Sequence, residues 1–140
     1  METSAKAITV EALVNAPVSK VWRYWNEVEH ITKWCQASDD WHAPYAENDL
    51  RKGGTLKTTM AAKDGSVSFD FVAVYSNVEP QKRIDYTIAD GRKVTILFNE
   101  EGDQTRITET FELEGTNPLE MQRGGWQAIL DSFTRHTEEN

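Results

Sequence analysis

The second half of the sequence is a series of strand patterns joined by tight turns, followed by one long helix pattern. Asp64-Gly65 and Asp90-Gly91 supply turn residues, and Asp-Gly readily adopts the positive backbone angles of a two-residue hairpin loop. Glu101-Gly102-Asp103 supplies a third turn. The turns separate predicted strands over residues 55–63, 66–78, 82–89, 93–100 and 105–114. Because such short loops join antiparallel neighbours, the sequence predicts a meander sheet.

One strand and two short helices are predicted before the meander. Residues 7–15 alternate, with one face formed by Ile8, Val10, Ala12 and Val14. After Pro17 the spacing changes to three and four residues, which predicts a helix with a buried stripe. The stripe contains Val21, Trp22, Trp25 and Val28, and a second helical turn covers residues 29–34. From there to Gly54 we predict a loop, because residues 35–40 are polar and Pro44 and Lys52-Gly53-Gly54 favour turns.

The C-terminal segment predicts a long amphipathic helix. Asn117 is the predicted N-cap and Pro118 the first helical residue, and Glu120, three residues after the cap, completes a pattern that resembles a capping box. The predicted inner face contains Leu119, Gln122, Trp126, Ile129, Leu130 and Phe133. Gly124 and Gly125 each cost about 1 kcal/mol relative to Ala inside a helix. Either they let the sheet or the first helices approach closely, or they kink the helix.

Size and charge exclude several classes of protein. A chain of 140 residues forms one domain, residues 1–140, and its net charge of 15 − 23 = −8 repels nucleic acid and anionic membranes. Cys35 is the single cysteine, so no intramolecular disulfide forms. No segment approaches the ~20 apolar residues of a membrane span, and no signal peptide pattern opens the chain. We therefore expect a cytoplasmic, soluble protein without membrane insertion.

Six segments, in chain order, resemble the START-like superfamily, and within it the branch named for the activator of the 90-kilodalton heat-shock chaperone's ATPase. They are residues 16–22, Trp34, residues 52–54, residues 79–84, residues 105–108 and residues 124–126. The resemblance implies an α+β fold of the helix-grip type, also described as START-like or Bet v-like. In this fold a curved antiparallel sheet of about six to seven strands wraps around the long C-terminal helix.

The resemblance also implies a cavity between sheet and helix, which in different members is open to lipids, aromatic polyketides or other apolar metabolites. Members include binders, cyclases and chaperone regulators, so the fold does not decide the activity. We expect the separate chaperone-binding domain of the eukaryotic activator to have no room in 140 residues. Homodimerisation through exposed strand edges stays open.

The candidate ligand-binding residues are mostly large aromatic side chains on predicted inner faces. They are Trp25, Trp34, Trp41, Met60, Phe69, Phe71, Tyr75, Tyr86, Phe98, Glu109, Met121 and Trp126. Aromatic rings offer a large contact area at low entropic cost, and Met adapts to irregular surfaces. For each apolar residue, plain core packing is the alternative.

Glu109 shares its predicted strand face with Ile107, Phe111 and Leu113. Regular alternation would place its carboxyl among apolar groups, where it could orient a ligand hydroxyl or act as a general base. The alternative is a β-bulge or a barrel-edge position that returns the side chain to water.

No catalytic trio or metal site can be written from the sequence. Asp39, Asp40 and His42 have no second His or Cys at a usable spacing. Cys35 has no neighbour that would lower its pKa, so we interpret it as a packing residue. The leading hypothesis is a non-catalytic module without cofactor that binds a small hydrophobic molecule. A cyclase or hydrolase using the same cavity, or contact with a chaperone, are the alternatives.

Overall fold

A seven-stranded antiparallel sheet and three helices make up residues 7–140, the part of the chain that the computed structural model describes. In chain order the elements are β1 (Ala7–Val14), α1 (Val18–Asn26), α2 (Val28–Trp34), β2 (Trp41–Asn48), β3 (Thr55–Ala62), β4 (Ser68–Glu79), β5 (Arg83–Ile88), β6 (Lys93–Glu101), β7 (Gln104–Glu112) and α3 (Leu119–Glu139). The α+β class, the two short early helices and the long C-terminal helix are confirmed.

The sheet has the order β1-β7-β6-β5-β4-β3-β2. Strands β2 to β7 follow the chain as a meander, and β1 pairs with β7 to begin the other edge. The turn between β5 and β6 depends on Gly91, whose φ of +97° an L side chain rarely adopts. The sheet curls into a half-barrel, and its concave face carries the core.

The alternating residues of the strands and the C-terminal half of α3 form one core. On the sheet, Val14, Ile96 and Ile107 are fully buried, and Leu130 and Phe133 of α3 are fully buried against them. Burying a side chain of this size stabilises the fold by roughly 1.5–3 kcal/mol.

Phe133 of α3 packs against the first two helices. Its ring lies 4.8 Å from Trp25 and 5.1 Å from Trp34, in both cases edge to face. Trp34 is held in turn by its indole N–H, which donates to the Tyr24 carbonyl oxygen at 2.9 Å. These contacts attach α3 to α1 and α2 near its C-terminal end.

The prediction of a loop between residue 35 and Gly54 is wrong, because Trp41–Asn48 forms strand β2. Pro44 lies where the β2–β3 register shifts between His42 and Tyr45, and β2 is an edge strand. A proline has no N–H to donate, which an edge strand with an irregularity tolerates.

The predicted capping box is also wrong. Helix α3 begins at Leu119, with Pro118 at its N-cap position and no side chain bonded there. Asn117 instead donates its side-chain amide to the Glu114 carboxylate at 2.8 Å. Gln122 ties the start of α3 to the segment that follows β7, donating to the carbonyl oxygens of Glu114 and Asn117 at 3.1 and 2.7 Å.

Two predicted inner-face residues lie outside the core. Leu119 is 41 % exposed at the start of α3, and Val28 begins α2 instead of extending the stripe of α1, with 39 % exposure. The prediction that the sheet or the first helices approach α3 closely at Gly124 and Gly125 is wrong, because a Cβ atom at either residue would meet nothing within 4 Å. The two glycines leave open space beside the helix.

Within residues 7–140, no helix combines the length and the apolar character that crossing a membrane requires.

Replacing Gly124 with Ala should stabilise the protein. The new methyl group meets no atom within 4 Å, and Ala restricts the unfolded chain, so the free energy of unfolding should rise by about 0.5–1 kcal/mol. Urea denaturation measures this change. Gly91→Ala is the opposite control, because its positive φ makes any L side chain strained. A loss of stability in Gly124→Ala would show that α3 needs this glycine for packing.

A histidine pair links α2 to the end of α3. Nδ1 of His30 lies 2.9 Å from Nε2 of His136, and the His30 ring stacks on Tyr24 at 3.8 Å. Burial, followed by the charges of His30 and Lys33, lowers the pKa of His136 below its ordinary value of 6.5. The unfolded chain therefore binds more protons than the folded one below about pH 6.5.

Acidification should consequently weaken this contact. The contribution of His136 to the free energy of unfolding is present above pH 6.5 and falls as the pH decreases through that value towards the folded pKa. The melting temperature of the wild type should drop more between pH 8 and pH 5 than that of His136→Gln. His42→Gln, which alters a histidine on β2, should behave as the wild type. Parallel pH profiles for wild type and His136→Gln would contradict the prediction.

Candidate functional site

A cavity of about 570 Å³ lies between the curled sheet and the N-terminal half of α3. Phe133 anchors the other half of this helix against Trp25, and space beside residues 121–129 is left unfilled. Gly125 and Ile129 contribute helix surface to the cavity.

Aromatic side chains from five elements line the interior. Trp25 and Trp34 form one end, with their rings 5.0 Å apart, and Phe71, Tyr86 and Trp126 lie along the walls. Trp126 is held parallel to Phe111, at 4.2 Å between ring centres and 8° between planes. Packing in the core and lining the cavity are therefore not exclusive for these rings, because each packs against protein on one side and faces the cavity on the other.

The more exposed lining residues surround the opening of the cavity. We call Trp41, Met60, Phe69 and Met121 the rim. Phe69 is 50 % exposed and packs edge to face against Trp41 at 6.0 Å, while Met121 on α3 is 62 % exposed. The rim is therefore built from three places: the start of β2, the β3–β4 hairpin and the first turn of α3.

Eleven of the twelve sequence-predicted residues border this cavity. They are Trp25, Trp34, Trp41, Met60, Phe69, Phe71, Tyr75, Tyr86, Glu109, Met121 and Trp126. Phe98 does not, because its ring packs into the core against Trp22 at 5.2 Å and Trp25 at 5.8 Å. Phe98 is therefore corrected to a core residue, and ligand contact by the other eleven remains a prediction.

Sequence reasoning missed several smaller and polar lining residues. The additional ones that shape the cavity are Asn48, Leu56, Thr58, Gln122 and Gly125. Asn48 joins two walls, since it accepts from the Tyr75 hydroxyl at 2.6 Å and donates to the Asn26 carbonyl oxygen at 2.8 Å. The alternation of β3 could have found Leu56 and Thr58, whereas Asn48 depended on the unpredicted strand β2.

Glu109 points into the cavity, so the bulge alternative is wrong. Strand β7 alternates without interruption, and its register to Val10 on β1 and Ile96 on β6 continues unshifted through this residue. Glu109 is 5 % exposed, and burial raises the pKa of its carboxyl from 4.5 to about 8. The carboxyl is therefore mostly protonated at neutral pH.

Two other titratable side chains lie close enough to sense Glu109. Burial and then the Glu109 charge raise the pKa of the Cys35 thiol to about 12 and hold the pKa of the Tyr86 phenol well above its ordinary value. Cys35 therefore remains a thiol at neutral pH and is a poor nucleophile. No group of three His, Cys, Asp or Glu side chains within residues 7–140 is placed to hold a metal ion.

Residues 15–138 match the family described as "Activator of Hsp90 ATPase homolog 1-like protein". The chain belongs to this family. The resemblance read from the sequence is thereby confirmed, and the match covers strands β2 to β7, both short helices and nearly all of α3. No curated protein matches the sequence.

Solved structures support the assignment to the AHSA1-like family. The solution structure of an AHSA1-like protein from Aeromonas hydrophila is 39 % identical, with a TM-score of 0.90 over 96 % of this chain and 93 % of that one. A protein from Cytophaga hutchinsonii is 61 % identical, with a TM-score of 0.82 over 95 % and 92 % of the two chains. A protein from Nitrosomonas europaea is 21 % identical, with a TM-score of 0.82 over 95 % and 94 %, which shows a common fold alone.

Replacing Glu109 with Gln should stabilise the protein in a pH-dependent way. The pKa of Glu109 in the folded protein, about 8, exceeds the ordinary 4.5. Below pH 4.5 its ionisation therefore does not lower the free energy of unfolding, and between pH 4.5 and pH 8 it lowers that free energy increasingly. The gain in Glu109→Gln should therefore grow over this range and reach a few kcal/mol at pH 8. Urea denaturation at several pH values measures it.

Glu100→Gln is the matched control, because Glu100 is exposed on β6. This variant should show no comparable pH-dependent gain. A stability gain in Glu109→Gln that does not change with pH would mean that the Glu109 carboxyl stays hydrated.

Proposed function

We propose that the protein binds a small, largely apolar molecule with an aromatic or other flat body in the cavity beneath α3. The single observation that supports this most strongly is the cavity itself, about 570 Å³ and lined mainly by aromatic and aliphatic side chains. Pockets for small ligands commonly enclose roughly 300–1,000 Å³ and combine apolar walls with a few polar groups.

The arrangement of the rings supports a flat ligand. Trp126 is held against Phe111 and meets Phe71 edge to face at 6.5 Å, so its orientation is set by its neighbours. Tyr86 meets both Phe71 and Tyr75 edge to face, at 6.0 and 6.1 Å. Rings held in this way lose little entropy when a ligand packs against them. An apolar ligand would supply dispersion contacts that these faces do not receive from the protein.

An enzyme is the second candidate, and Glu109 favours it. A buried carboxyl with a pKa of about 8 can give or take a proton near neutral pH. The neighbouring Cys35 offers no second step, because its thiol pKa is about 12. Any reaction would therefore be limited to proton transfer by Glu109, such as an isomerisation or a cyclisation. Retained binding with lost turnover in Glu109→Gln would distinguish this candidate from simple binding.

Filling the cavity from the helix tests the binding proposal. Gly125 borders the cavity and a Cβ there meets nothing within 4 Å, so Gly125→Leu places an isobutyl group in the ligand space. Affinity for a neutral aromatic probe such as Nile red, measured by fluorescence titration, should fall at least about tenfold, which corresponds to losing roughly 1.4 kcal/mol of binding free energy.

Gly124→Leu is the matched control. It makes the same change one residue earlier on α3, where the position is exposed and does not border the cavity. Its affinity for the probe should equal that of the wild type. Equal weakening in both variants would place the probe elsewhere, and failure of the wild type to bind any of a panel of apolar probes would remove the proposal.

A further inference from the structure

Among residues 7–140, no cation and no hydrogen-bond donor pairs with the Glu109 carboxyl. Burial is the one cause of its raised pKa, with no contribution from a donor or a cation among residues 7–140. The carboxyl borders the cavity and is 5 % exposed. A buried polar group left in this state costs free energy, so the residue is difficult to explain as packing alone.

A carboxyl at this position, in place of an amide or a hydroxyl, indicates which ligand group it can bind. Gln or Thr would offer hydrogen bonds to a neutral ligand oxygen without the cost of a buried ionisable group. Glu offers in addition a negative charge once it has lost its proton. That charge is useful when the ligand brings a positive charge to the same place.

The groups that face Glu109 do not already provide this positive charge. Cys35, Tyr75 and Tyr86 are neutral there, because burial raises the pKa of each. Glu114 also borders the cavity, but it is acidic and supplies no positive charge. Arg92 borders the cavity as well, and its guanidinium is paired with Asp90, with Nε 2.8 Å from Oδ2. No lysine borders the cavity within the described part of the chain. Among the described lining residues, Glu109 is thus the buried acid, and aromatic side chains line the same cavity.

We propose that the ligand of this cavity is an apolar amine whose protonated nitrogen pairs with Glu109 while its hydrophobic body packs against Trp25, Trp34 and Trp126. This inference rests on the proposed binding function and specifies the ligand's chemical class. The rings contribute as well, since the faces of Trp and Tyr attract cations. The net charge of −8 favours the approach of a cation over that of an anion.

Amine binding has a proton signature with a definite sign. Glu109 must lose its proton to pair with an ammonium group, and its pKa of about 8 keeps it mostly protonated at pH 7. Binding should therefore release about one proton per amine at pH 7, and affinity should increase at least about tenfold from pH 6 to pH 8. A neutral ligand of the same shape would show no such increase.

Naphthylmethylamine and naphthylmethanol test the inference, because they share one aromatic body and differ in the charged group. Isothermal titration calorimetry of the wild type should give about tenfold tighter binding of the amine at pH 8, with proton release detected from the heat in buffers of different ionisation enthalpy. Glu109→Gln should lose the preference for the amine and keep its affinity for the alcohol. Glu100→Gln should match the wild type.

The outcomes separate this inference from the function on which it rests. Equal affinity for both compounds, or tighter binding of the alcohol, would overturn the amine assignment and leave the cavity as a site for neutral ligands. Amine binding without proton release would overturn it as well, without depending on any variant. Failure of both compounds and of Nile red to bind the wild type would instead overturn the proposed binding function.

Discussion

Edge-to-face packing of Phe133 between Trp25 and Trp34 determines where the long helix lies. The contact joins three helices at one end of the half-barrel, and the full burial of Leu130 beside it adds to the anchoring. The sheet continues to curl beyond this anchor, but α3 carries Gly125 where a filled core would need a bulky side chain. The cavity therefore results from two features of α3: it is anchored at its C-terminal half, and it has no large side chain at the glycine that borders the cavity.

The position of Glu109 follows from the same sheet that builds the core. Ile107 and Phe111 are buried two residues before and after it, and strand alternation places all three on one face. Turning the carboxyl outward would require a bulge or a one-residue slip, and a slip would expose both apolar neighbours. The strand thus holds an ionisable group inside an aromatic enclosure at the expense of some stability.

Much of this architecture could be predicted from the sequence, because it depends on local patterns. Alternation and tight turns located β1 and five of the six meander strands. The predicted inner faces, with their aromatic residues, two methionines and Glu109, located eleven of the residues around the cavity. Strand β2 escaped because Pro44 and polar neighbours are typical of a loop, and only pairing with β3 makes the segment a strand. The errors at Phe98, Leu119 and the two glycines concern packing between distant segments, which periodicity does not record.

Strand β2 also has a consequence for how molecules meet one another. It forms one border of the sheet, where unpaired backbone groups could otherwise recruit a strand from a neighbouring molecule. Pro44 removes a donor there and the shift between His42 and Tyr45 interrupts the ladder. Strand pairing between molecules at this border is thereby disfavoured. Pro44, which made the segment look like a loop in the sequence, therefore also opposes aggregation.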